Sequence, residues 1–169
     1  MRLLFLFENL VSGTLSPSRT IWALNFGHTK LSGTISLANG FTNLTNVLVL
    51  LVNHCPLAVE ITVLPQIAPN VRFFLGDGDD GVLPEFRLMK QLRAFILKKT
   101  RISGTLSDAP PNLSILDLTG NRYNIGSPGA ELPNGVALRI SGTVPEGIFN
   151  SKTVLLSDMR QRWSFCYTY

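Results

Sequence analysis

The chain has 169 residues, 45% of them apolar and only 15% charged, with a formal net charge of +4. That length predicts one domain, with apolar residues enough for a core. So modest a charge, with no recognition motif or basic stripe beside it, argues against nucleic-acid binding, and no apolar run approaches the roughly twenty residues of a spanning helix.

In chain order, the first recurring segment is Met1-x-x-Leu4-x-Leu6-x-x-Asn9-x-Val11, followed by Ser12-Gly13-Thr14-Leu15. Its opening resembles the start of a signal peptide. Glu8 stops the apolar run, however, and no small-residue cleavage site follows at a sensible distance, so it reads as a repeat. The second segment is Ile21-x-x-Leu24-x-Phe26-x-x-Thr29-x-Leu31, then Ser32-Gly33-Thr34-Ile35. A third fits as Thr45-x-x-Leu48-x-Leu50-x-x-Asn53-x-Cys55, and the apolar run Val47–Val52 predicts a buried strand. From 56 to 90 the pattern degrades. Val71 to Phe74 predicts a strand, Gly81-Val82-Leu83-Pro84 resembles the following turn, and the frame between them slips by about one residue. The pattern returns at Leu92-x-x-Phe95-x-Leu97-x-x-Thr100-x-Ile102, then Ser103-Gly104-Thr105-Leu106, and at Leu113-x-x-Leu116-x-Leu118-x-x-Asn121-x-Tyr123. Leu132–Asn150 is a shortened copy containing Ile140-Ser141-Gly142-Thr143-Val144. Six to seven repeats thus occupy 1–150. In the remaining segment, 151–169, Trp163, Phe165, Tyr167 and Tyr169 alternate with smaller residues at strand spacing, as an aromatic cap or a non-repeat tail.

These segments resemble the leucine-rich repeat, and the Ser-Gly-Thr extension is similar to its plant-type class, found in receptor-like proteins and receptor-like kinases. Thr29 and Thr100, in place of the usual Asn, also resemble repeat proteins of microalgae. The resemblance implies a repeat solenoid: an arc with a parallel β-sheet on the concave face and turns and short helices on the convex face. Paired-cysteine caps, usual in extracellular members, are absent. The expected consequences are a piece of a longer arc and self-association through uncapped ends. The compartment is left open, leaning to the cell surface. Asn43 and Asn112 begin glycosylation sequons that matter only in a secreted chain.

Alternating apolar residues such as Leu116 and Leu118 point to one side of a short strand. Asn9 and Asn121 can bond backbone groups where the chain turns, and a Thr hydroxyl satisfies fewer of them. The glycines of Ser-Gly-Thr supply freedom for a turn. Stacking then buries what single repeats cannot.

Candidate chemistry is thin. Asp77-Gly78-Asp79-Asp80-Gly81 fails the calcium-loop pattern, having Gly81 fifth and Leu88 twelfth, and reads as an acidic surface loop. His28 and His54 read as surface or turn residues of different repeats, without metal. Cys55 reads as a small buried hydrophobe, and a bond from it to distant Cys166 is not expected. No catalytic constellation, cofactor or metal site is expected.

The expected working surface is the outward side of the strands. It comprises Arg2, Leu3, Phe5, Phe7 and Glu8, then Trp22, Ala23, Asn25, Gly27 and His28, then Asn46, Val47, Val49, Leu51 and Val52. Further on it comprises Arg93, Ala94, Ile96, Lys98 and Lys99, then Ser114, Ile115, Asp117, Thr119 and Gly120. Phe5, Phe7, Trp22, Asn25, His28, Arg93, Lys98 and Asp117 are the candidate contacts for a protein or peptide ligand. Trp22 and Arg93 lead because Trp and Arg anchor interfaces. A non-catalytic binding module is the first expectation, and a fragment of a signalling receptor ectodomain is the alternative.

Overall fold

The computed structural model describes residues 3–6, 8, 10, 12–14, 20–42, 44–77, 80–104, 109–121, 136–140 and 154–156, with backbone alone at 12–14, 80, 138–140 and 154–156. The described chain winds as a parallel β-solenoid. Strands β1 (Leu3–Phe5), β3 (Ala23–Asn25), β5 (Val49–Leu51), β7 (Phe73–Asp77), β9 (Ala94–Lys98), β11 (Ile115–Leu118), β12 (Val136–Ile140) and β13 (Val154–Leu156) form one eight-stranded sheet in that order. Each strand pairs in parallel with the next coil's strand. The register gives coils of 20 residues from Leu3 to Ala23, 26 to Val49, 24 to Phe73, then 21 to Ala94 and 21 to Ile115.

The core follows from the alternation. Leu24, Leu50, Phe74, Phe95 and Leu116 stack as one buried column behind the sheet, and Phe26, Val52, Leu97 and Leu118 stack as another. Each such side chain contributes about 1.5–3 kcal/mol by leaving water. Phe95 lies between two other rings. It stacks on Phe74 at 5.0 Å and meets Phe86 edge-on at 5.0 Å.

The Ser-Gly-Thr phrases build strands as well as turns. β2 (Ser12–Thr14), β4 (Lys30–Ile35) and β6 (Leu57–Val59) make a second parallel sheet. β8 (Asp80–Val82) and β10 (Arg101–Ser103) make a parallel pair. The glycine keeps its value within or just after them. Gly33 and Gly104 have φ of 113° and 109°, and a Cβ on Gly104 would lie 2.7 Å from Val82 Cγ1. Gly142 lies outside the described residues. Among the described residues, helix is confined to short turns, Ile61–Val63, Leu64–Ile67 and Phe86–Leu88. No helix among the described residues is long and apolar enough to cross a membrane.

The middle coils correct the sequence frame. Leu24 pairs in register with Leu50, not Leu48. The third coil therefore reads Val47-x-x-Leu50-x-Val52-x-x-Cys55, two residues later than expected, with Val47 and Val52 fully buried. The fourth coil has no slip at all. Phe74 pairs with Phe95 and Gly81 with Ile102, the same 21-residue offset at both ends. It looked displaced because Gly76 stands opposite Leu97 in an apolar column. The ring of Phe74 fills that place, 3.0 Å from where a Gly76 Cβ would be.

Turn-forming side chains occupy a further column. Thr29 Oγ1 donates to the Phe26 carbonyl at 2.8 Å. Cys55 Sγ donates to the Val52 carbonyl at 3.1 Å, so this half-buried thiol is a turn residue and not merely a small hydrophobe. Asn121 does more. Its Nδ2 donates to Leu118 of its own coil and to Leu97 of the preceding one, at 3.0 and 2.6 Å. Its Oδ1 accepts from the Thr100 amide at 3.0 Å and also contacts the Thr100 hydroxyl. An amide is both donor and acceptor, so it bridges coils.

Candidate functional site

The register sorts the outward residues into rows crossing the strands. Backbone bonds place Trp22, Leu48, Arg72, Arg93 and Ser114 in the first row, at the entry to the strands. Leu3, Ala23, Val49, Phe73, Ala94 and Ile115 form the second. Phe5, Asn25, Leu51, Leu75, Ile96 and Asp117 form the third, and Arg139 follows in register. Successive strands are about 4.8 Å apart. Trp22 and Arg93 thus share a row but stand three strands, about 14 Å, apart. One ligand reaches both only by lying across the strands.

The middle of this face is apolar. Phe5 is 53% exposed, Phe73 43% and Ile115 41%, with half-buried Leu51, Leu75 and Ile96 between them. Arg72 and Arg93 flank it as neighbours. Neither has an acidic partner among the described residues, and the buried Nε of Arg72 has no hydrogen-bond partner. Trp22 is half-buried and Arg93 exposed. Asn25 is half-buried, and its Oδ1 accepts from the Gly27 amide at 3.1 Å, so part of its capacity is spent on its own turn.

Several outward assignments need correcting. Ala23, Gly27, Val47, Val52 and Ala94 are buried. Asp117 is 2% exposed. Its Oδ1 accepts from the Thr119 amide and hydroxyl, and its Oδ2 pairs with Lys98 Nζ at 2.9 Å. The lysine lies over the acid and consumes it, so neither offers an uncommitted charge. Phe7 and Arg2 lie outside the described residues, as do Cys166 and the aromatic tail.

A second grouping lies on the rim where the chain leaves the strands. Glu8, His28, His54, Lys99 and Gly120 occupy equivalent turns, with φ of 55°, 57°, 54°, 53° and 78°. This left-handed conformation costs a non-glycine residue about 1–2 kcal/mol. The Glu8, His28 and Lys99 amides donate to the next coil and extend the ladder past the strand ends. His28 and His54 are thereby brought together, ring centroids 4.6 Å apart and tilted by 40°. Asp77 holds His54 from the other side. Its Oδ1 accepts the His54 amide at 2.7 Å, and its Oδ2 pairs with Nδ1 at 3.0 Å. The sequence frame, two residues early in the third coil, hides that these histidines share one repeat position. No set of three potential metal ligands gathers among the described residues.

Neither a family model nor a curated protein nor a solved structure gives a significant match to this chain.

Proposed function

We propose that the chain is a leucine-rich repeat arc that binds a protein or peptide along its main sheet and performs no catalysis. The observation that carries the reading is the exposed apolar middle of that sheet beside two arginines without acidic partners among the described residues. Exposed apolar area contributes affinity when covered, and flanking arginines orient a ligand through carboxylates or backbone carbonyls. The sheet is broad and crossed by rows, which suits an extended segment lying over several coils. Trp22 and Arg93 would anchor its two ends.

The test is a displayed peptide library selected on the whole chain. A selected peptide should bind the double variant Trp22→Ala, Arg93→Ala about tenfold or more weakly, as hot-spot losses do. Unchanged affinity would remove this face from consideration.

A second reading, part of a receptor ectodomain acting in signalling, is favoured by the Ser-Gly-Thr phrases, which the resemblance ties to that class. A transcript continuing in frame into a membrane span and a kinase would support it. Stop codons bracketing the frame would sink it.

A further inference from the structure

We propose that His28 and His54 form a surface site for a divalent transition-metal ion of the nickel, copper and zinc group, joining the second and third coils. The site is separate from the sheet face and does not depend on the binding reading above.

The geometry suits two imidazoles on one ion. A ring centroid lies about 3.2 Å from a metal held at about 2.1 Å by its nitrogen. Centroids 4.6 Å apart would, with one nitrogen of each ring turned to a single ion, close on it at about 90°, the cis angle of tetragonal and octahedral coordination. That angle favours nickel and copper over tetrahedral zinc.

Asp77 supplies the outer support that metal-binding histidines commonly have. A carboxylate accepting from one ring nitrogen fixes the tautomer and leaves the other nitrogen as the basic one. Here Nδ1 of His54 is taken by Asp77, and the His54 amide is held by the same carboxylate. The ring cannot swing away without losing its Nδ1 contact, and the amide bond keeps the carboxylate beside it. Asp77 belongs to the coil after His54 and His28 to the coil before it, so the carboxylate and the second imidazole approach His54 from opposite sides. His54 is 62% exposed at its side chain, so an ion can enter. With no third protein ligand among the described residues, solvent completes the shell, and the site is a two-ligand clamp between coils.

The test is a nickel titration of the whole chain by calorimetry, beside the single variants His28→Asn and His54→Asn. Asparagine tolerates the left-handed conformation, so these variants keep the turn; equal melting temperatures without metal would check this. His28 and His54 are the chain's only histidines, so ring signals report on this pair alone. The expected result is one nickel per chain, bound about tenfold or more tightly by the wild type than by either variant, since the second ligand binds at high effective concentration. Both imidazole ¹⁵N resonances should respond over the same nickel range, and Asp77→Asn should weaken binding about tenfold. Wild-type affinity no greater than that of the single variants, or response of one ring alone, would overturn the proposal.

Discussion

The coils around Ala94–Asn121 and those around Val47–Asp77 fill the same positions with different residues. In the first region Phe95, Leu97, Leu116 and Leu118 occupy the buried columns, and Asn121 bridges the turn. In the second, Gly76 stands where a large apolar residue belongs, and Cys55 stands where the asparagine does. The sheet runs through both without a break. Position in a solenoid is therefore set by register, and a missing side chain is tolerated when a neighbour takes its volume or its hydrogen bond.

The largest expected effect comes from removing that neighbour. Phe74→Ala should destabilise by about 3–5 kcal/mol, toward the upper end because no side chain at Gly76 can collapse into the space. Chemical denaturation measures it, and a loss under about 2 kcal/mol would mean that Phe74 does not fill the Gly76 position. Restoring the expected leucine should not help. Gly76→Leu should destabilise by about 1–3 kcal/mol through overpacking against Phe74. A stabilised variant would show that the ring does not hold that volume.

The turn column sharpens the comparison at smaller magnitude. Asn121→Ala removes bonds to two coils and should cost about 1–3 kcal/mol, because the Leu97 and Leu118 carbonyls lose their donor. Cys55→Ala removes the weak thiol bond to Val52 of its own coil and should cost less than about 1 kcal/mol. Thermal melts of the two variants side by side would decide it, and equal losses would deny that the asparagine bridges coils.

The regular coils were legible because their phrases are complete and in phase with the apolar alternation. The third coil was not. A strand's side chains repeat every two residues, so a two-residue shift preserves the alternation inside the strand, although it moves Val47 and Val52, at its ends, from the outer face to the core. Leu50 is inward in either frame, and Asn53 offered a plausible turn residue where the chain in fact uses Cys55. The pairing of His28 with His54 followed from that frame and was hidden with it. Trp22 and Arg93 were found from residue type. Arg72 and Phe73 lie in the strand predicted at Val71 to Phe74, where the degraded frame hides which positions they fill; the unbroken 21-residue offset to Arg93 and Ala94 reveals them.

The register between the second and third coils can be read directly from nuclear Overhauser contacts in solution, and it decides whether the solenoid is wound as described. Contacts are expected between Ala23 and Val49 and between the rings of His28 and His54. Ala23 beside Val47, with the two rings apart, would contradict that winding.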